Sequence, residues 1–240
     1  FLKRQYLTED TKGLTKEDII KILKNVGPLY LFREQRPSIF ERMKTDKDTV
    51  KKWCKELLTE RKIISMRLPK GDPMWIAIED YPVFVSGMKL NLPIGELEKR
   101  VLELLAKNKE MTSLQLGRSL NLKYADLRPV LKRLEHMFLI SKSRFVVSPT
   151  GEEIVVWALT ENLIPDKLQK IANELDRDKA IQELILRYLR IYGPSTALEV
   201  ATWLGKSENE TKIYLNTLER LGLIYSGFYT PLKPKPQYLR

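Results

Sequence analysis

Lysine and arginine are the residue types in this chain that point most clearly to chemistry. The 240-residue sequence holds 42 of them against 31 aspartates and glutamates, a formal net charge of +11. An excess of this size favours a polyanionic partner, either a nucleic acid or an anionic membrane surface. The alternative is a solvated basic surface that binds nothing. We therefore asked whether the basic side chains are grouped on particular predicted elements.

The basic side chains that we predict to contact phosphate form two groups, each on a helix and the strand or turn after it. The first group comprises Lys47, Lys51, Lys52, Lys55, Arg67 and Lys70. The second comprises Lys123, Arg128, Lys132, Arg133, Lys142 and Arg144. Arg128 and Lys132 share one helix face, because residues four apart are neighbours on a helix. Lysine is a flexible point charge that discriminates poorly between bases, so these groups indicate backbone binding with little sequence preference.

Catalysis and metal binding receive little support from the residue types. The chain has one cysteine, Cys54, and one histidine, His136. An internal disulfide and a cysteine cluster for zinc are thereby excluded, and a histidine-based metal site is disfavoured. The stretch Gly205-Lys206-Ser207 lacks the earlier glycine of a phosphate-binding loop. We predict no cofactor and no catalytic residue in this chain. No apolar run approaches the roughly 20 residues that cross a bilayer.

An internal repeat shows which elements position the basic groups. Residues 101–145 align without a gap on residues 185–229, and the matches are mainly apolar. Val101 falls on Ile185, and Leu134-Glu135 falls on Leu218-Glu219. Both copies read as three helices followed by a strand, the order of a winged helix-turn-helix. A third, looser copy lies upstream, with residues 37–43 as its second helix and residues 46–60 as its third.

The predicted fold is therefore mostly α with small β-wings, built from three tandem winged helix-turn-helix units. The boundaries are 1–92 for the first unit, 93–160 for the second, 161–178 for a connector, 179–230 for the third and 231–240 for a tail of alternating proline and lysine. Acidic and basic residues nearly balance on the third helix of the third unit. We predict that this unit is structural or faces protein, whereas the first two bind nucleic acid.

Three segments resemble the C-terminal region of the large helicase-related (Lhr) proteins, which are superfamily-two ATP-dependent helicases. These segments are RYLRIYGPSTALEVATWLG (187–205), LERLGLIYSGFY (218–229) and MWIAIEDYPVF (74–84). The resemblance implies a parent chain with ATPase domains, ATP and magnesium, and a cytoplasmic location. This chain would be its nucleic-acid-binding accessory region. The implied partners are DNA, with RNA left open, the remainder of the helicase chain, and a second copy in a homo-oligomer; no membrane is implied.

Two alternatives remain open at this stage. The C-terminal region of the same helicases is similar to a bacterial DNA glycosylase built from tandem winged helices, so the chain could act on damaged bases. Such chemistry needs a carboxylate or amide that orients water beside a flipped base. The residues of suitable type are Glu34, Gln35, Glu79 and Asp80, none of which fits a catalytic motif. The second alternative is a winged-helix scaffold for protein assembly.

Overall fold

The fold is mostly helical with small antiparallel sheets. A computed structural model describes residues 3–32, 37–67, 73–228 and 236–240. The sequence prediction is confirmed at this level of helical content and small sheets. Within the described ranges, no helix is long and apolar enough to cross a membrane.

The first segment of the fold surrounds a two-stranded hairpin. Its elements are α1 (Lys16–Val26), α2 (Lys47–Thr59), β1 (Ile63–Arg67), β2 (Pro73–Ala77) and α3 (Tyr81–Met88). Strands β1 and β2 are antiparallel. The helix predicted for residues 37–43 is wrong, because this segment holds only a 3-10 turn, Phe40–Arg42. Its backbone groups bond to distant segments instead: the Ile39 N–H donates to the Tyr30 carbonyl, and the Gly13 N–H donates to the Arg42 carbonyl.

The second segment contains three helices and a three-stranded sheet. Its elements are α4 (Glu96–Asn108), β3 (Glu110–Thr112), α5 (Ser113–Leu120), α6 (Tyr124–His136), β4 (Ile140–Val147) and β5 (Glu153–Leu159). Strand β5 lies in the centre of the sheet, between β3 and β4. Both of its neighbours are antiparallel to it.

The third segment repeats this order after a connecting helix. Its elements are α7 (Asp166–Glu174), α8 (Arg177–Tyr192), β6 (Ser195–Thr196), α9 (Ala197–Leu204), α10 (Glu208–Arg220), β7 (Tyr225–Gly227) and β8 (Gln237–Leu239). Strand β8 pairs with both β6 and β7. The predicted extended tail is therefore a strand over residues 237–239, while residues 231–235 lie outside the described ranges.

The passage from helix to strand has the same geometry in all three segments. The second residue after the helix has a positive φ each time: 55° at Arg61, 56° at Phe138 and 68° at Gly222. In each case two backbone N–H groups fold back onto the last turn, as from Leu223 to Leu218 and from Gly222 to Glu219. This is the Schellman motif, which satisfies the last carbonyls and turns the chain sharply. The repeated sequence thus encodes a repeated local structure.

Apolar packing links the segments unequally. The second segment has a core cluster of its own, which includes Leu105, Leu116 and Leu131. A larger cluster joins the first hairpin and α3 to α8 and the third segment, with Phe84 and Leu184 fully buried in it. Helix α3 therefore lies at the contact between the first and third segments.

Candidate nucleic-acid interface

Two grooves lined partly by residues of the predicted basic groups lie beside a single element, the β4–β5 hairpin. A groove of about 880 Å³ lies on one side, between α2 and Glu153 at the start of β5. A groove of about 780 Å³ lies on the other side, between α5, the start of α6 and β5. We refer to them as the α2 groove and the α6 groove. Glu153 lines both, so the hairpin separates two neighbouring grooves of one surface.

Helix α2 presents lysines to its groove, but some of their charge is already compensated. Lys51, Lys52 and Lys55 line the α2 groove. Lys55 forms an ion pair with Glu153, and the Lys51 ammonium lies 3.5 Å from Asp48. Lys52 is exposed, as is Lys47 on the same helix. The Lys55 pair ties α2 to the hairpin of the second segment, so the two basic groups are held close together.

Helix α6 carries a basic face that is open to solvent. Lys123, Arg128 and Lys132 are exposed, and Lys123 also lines the α6 groove. Arg133 is directed elsewhere: it donates to the Pro93 carbonyl at 2.7 Å and lies 3.4 Å from Glu98. On the hairpin, Arg144 donates to Glu110 at 2.9 Å across the sheet.

Two of the predicted phosphate-binding residues lie inside the protein. Arg67 donates to the Glu135 carboxylate at 2.9 Å, and Lys142 contacts the other oxygen of the same carboxylate. The side chains are 9% exposed for Arg67, 11% for Lys142 and 1% for Glu135. The hydroxyls of Ser65 and Ser141 lie 2.9 Å apart beside this cluster. Because both cations neutralise a buried carboxylate, we leave them out of the proposed interface and assign them to the contact between the first and second segments.

Two of the acidic residues considered for the glycosylase alternative, Glu79 and Asp80, form ion pairs with basic residues of this chain. Glu79 forms an ion pair with Lys24 at 2.9 Å. Asp80 lies 2.8 Å from Arg187 on α8. Burial raises the pKa of the Asp80 carboxyl, and the nearby Arg187 only partly offsets this effect. Neither carboxylate lines the α2 groove or the α6 groove.

Three predicted residues, Glu34, Gln35 and Lys70, lie outside the described ranges. The described ranges contain no group of three or more histidine, cysteine, aspartate or glutamate side chains that could hold a metal ion.

Sequence reasoning missed the residues that give the α6 groove its shape. Tyr124 is 61% exposed at the first position of α6 and lines the groove. The Trp157 indole N–H, at the floor, donates to the Ser113 hydroxyl at 3.0 Å. The only sequence feature that points to Tyr124 as a functional residue is its position next to Lys123, at the start of a basic helix. Trp157 itself is 7% exposed.

One family model matches most of the chain. The family model described as DNA glycosylase AlkZ-like matches residues 38–223. Among solved structures, the DNA glycosylase AlkZ of Streptomyces sahachiroi matches with a TM-score of 0.67 and 13% identity, over 99% of this chain and 67% of that chain. At this identity the structural match shows the fold alone. Comparison with curated protein sequences found no match.

Two further solved structures match too weakly to support any argument. They are the zinc-responsive MarR family member ZitR of Lactococcus lactis and the DIP2311 protein of Corynebacterium diphtheriae. The first has a TM-score of 0.25 and 19% identity over 56% of this chain and 78% of that chain. The second has a TM-score of 0.23 and 12% identity over 73% of this chain and 33% of that chain.

The assignment to the helicase family is wrong. Two of the three segments that suggested it, 187–205 and 74–84, fall within residues 38–223, which the glycosylase family model matches, and the third, 218–229, begins within them. Helical segments that pack in the same way share their apolar spacing in unrelated families, so such segments discriminate poorly between families. ATP, magnesium and the remainder of a helicase chain were implied by that resemblance alone and lose their support with it. The match over most of the sequence shows that the chain belongs to the AlkZ-like family of DNA glycosylases.

Proposed function

We propose that this protein binds DNA and acts in base-excision repair as a glycosylase. The observation that carries the proposal is the family match over residues 38–223, which include the α6 groove, the basic face of α6 and all of the α2 groove lining except Phe32. A glycosylase breaks the bond between a base and C1′ of its sugar. Water adds its oxygen at C1′, the base leaves with the bonding electrons, and one proton from the water is released.

Docking on DNA is assigned to the exposed basic residues rather than to all those predicted. We assign phosphate contacts to Lys123, Arg128 and Lys132 on α6, with Lys47 and Lys52 contributing from α2. Arg133 and Arg144 belong to the edge of this surface, since both also bond within the protein. Phosphate contacts position a protein on DNA without reading sequence, so little base preference is expected at this step.

The finer architecture is part of the same proposal. We treat residues 1–92, 93–160 and 179–230 as winged helix-turn-helix units, with 161–178 as the connector. In this arrangement the first two units bind DNA, and the third is structural. Its helix α10 supports that role, because Lys206 and Lys212 are paired with Glu210 and Glu208 on the same segment. Glu34 and Gln35 remain residues of suitable type for orienting water, and neither fits a catalytic motif.

The docking step is tested by charge reversal and salt. The variant Lys123→Glu, Arg128→Glu, Lys132→Glu is compared with a control of equal charge change on α7 and α8, Lys167→Glu, Lys170→Glu, Lys179→Glu. All three control lysines are exposed and away from both grooves. Each lost phosphate contact lowers the slope of log K against log salt by about 0.9. We expect the α6 variant to lose roughly two to three units of slope and the control to lose little; equal loss in both would refute the assignment.

The enzymatic step is tested by product. Duplexes with a single uracil or a single N7-methylguanine are incubated with the protein, and abasic sites are detected as alkali-labile strand breaks. Breaks at the modified base and at no other position would support the proposal. Tight, salt-dependent binding without breaks at either base would leave a DNA-binding role and remove the glycosylase assignment for these two lesions.

A further inference from the structure

We propose that the α6 groove holds one extrahelical nucleobase of bound DNA, and that it prefers bases with an exocyclic amino group. This assignment rests on the proposed DNA-binding function and names what one part of the surface would take. The groove volume of about 780 Å³ lies within the roughly 300–1,000 Å³ typical of small-molecule sites.

The walls of the groove suit the face of an unpaired base. Tyr124 is 61% exposed, and Leu114, on α5, is 51% exposed. Both line the groove, together with Ile154 and Val155 of β5. Stacking on an exposed aromatic ring is the usual way in which proteins hold unpaired bases, and it does not depend on which base is present.

Tyr124 is not required by the repeated fold. Its counterpart in the third segment is Glu208, which begins α10 as Tyr124 begins α6. Leu114 has an equally exposed counterpart, Leu198, so the leucine alone would not mark a site. The tyrosine therefore distinguishes this groove from the corresponding surface of the third segment.

The groove is continuous with the proposed phosphate-binding face. Lys123 and Arg118 line the groove and are exposed. They are placed to hold the phosphates on either side of a base that has left the helix. A base in the groove would thus belong to the same strand that lies along α6.

The preference for bases with an exocyclic amino group comes from a carboxylate that lines the groove, Glu152. Glu153 is already paired with Lys55, whereas Glu152 is exposed and has no ion-pair partner among the described residues. An ionised carboxylate only accepts hydrogen bonds, so it favours the amino group of cytosine over the carbonyl of thymine at the same ring position. Asn121 also lines the groove, but its amide both donates and accepts and so discriminates little.

The test uses three labelled duplexes of otherwise identical sequence: fully paired, with one bulged cytosine, and with one bulged thymine. Wild type is compared with Tyr124→Ala, Glu152→Gln and the control Tyr225→Ala, which removes a tyrosine that is 64% exposed on β7. The indole N–H resonance of Trp157, identified by its absence in Trp157→Phe, reports occupancy of the groove directly.

We expect wild type to bind the cytosine bulge more tightly than the paired duplex, and Tyr124→Ala to lose on the order of tenfold of that preference. Its affinity for paired DNA should be unchanged, and Tyr225→Ala should behave as wild type. Glu152→Gln should bind both bulges equally, because glutamine donates as well as accepts. The Trp157 resonance should shift with the bulged duplexes only.

Two results would overturn the assignment. In the first, Tyr124→Ala weakens binding to paired and bulged DNA equally, or has no effect, and the Trp157 resonance does not distinguish the duplexes. The groove would then contact the backbone only, while the proposed DNA binding stands. In the second, wild type binds none of the three duplexes. That result refutes the proposed function, and the base pocket fails with it.

Discussion

Replacing Glu135 by alanine should destabilise the protein strongly, because this residue neutralises two cations that are withdrawn from solvent. Arg67 and Lys142 approach the carboxylate from β1 and β4, and Glu135 itself is 1% exposed. Alanine would leave two buried charges without their counterion. Removing one partner of a buried ion pair costs about 3–5 kcal/mol. For a chain of this size that corresponds to a fall in Tm of roughly 6–20 °C.

A matched control separates burial from charge pairing. Glu110 and Arg144 form a pair at 2.9 Å, the same separation as Arg67 and Glu135, but their side chains are 31% and 47% exposed. Pairs on the surface contribute about 0–1 kcal/mol. Urea and thermal unfolding of Glu135→Ala and Glu110→Ala should therefore differ by several kcal/mol in the free energy of unfolding.

A third variant tests the physical reason. The triple variant Arg67→Met, Glu135→Met, Lys142→Met leaves no buried charge in the cluster. Much of the stability that Glu135→Ala loses should therefore return in this variant. If Glu135→Ala costs less than about 1 kcal/mol, the cluster does not hold the first and second segments together. If the triple variant is as unstable as Glu135→Ala, packing at this position matters more than the buried charge.

Two further predictions concern single ionisable groups. The Leu14 backbone N–H, assisted by Lys21 and Thr15, lowers the pKa of Asp18 from 3.8 to about 2. The stabilisation is therefore present above pH 3.8 and is lost as the pH falls towards 2. Asp18→Asn should flatten the acid limb of the plot of unfolding free energy against pH. An unchanged limb would contradict this prediction. Burial raises the pKa of the Cys54 thiol to about 12, so iodoacetamide should label Cys54 only after unfolding, and labelling of the native protein would contradict its burial.

The family assignment shows where sequence reasoning reached its limit. The segments that resembled a helicase are helical and helix-to-strand patterns, and their apolar spacing follows from packing. The same spacing serves both families, so it could not separate them. The glycosylase alternative was present in the sequence analysis, but residue types alone gave no reason to prefer it.

The candidate interface shows a second limit, which is set by distance along the chain. Nothing in the sequence distinguishes Arg67 and Lys142 from the other predicted phosphate-binding residues, because their common partner, Glu135, is far from Arg67 along the chain. Glu135 lies on α6, and only the packing of β1 against the second segment brings the three side chains together. In the same way, the α6 groove forms only because β5 packs beside the start of α6. The residues next to Tyr124 in sequence give no sign of this groove.

The helix caps and the helix-to-strand turns were determined by the sequence itself. The capping threonines Thr112 and Thr196 have the same backbone angles, φ −74° and ψ 158°, and each accepts a hydrogen bond from the N–H three residues on. The Schellman turns at Arg61, Phe138 and Gly222 recur in the same way. Bonds of this kind join residues within one turn, so their pattern can be read from neighbouring letters. Tertiary structure alone decided which basic side chains reach solvent, since burial depends on contacts between segments that are far apart in the chain.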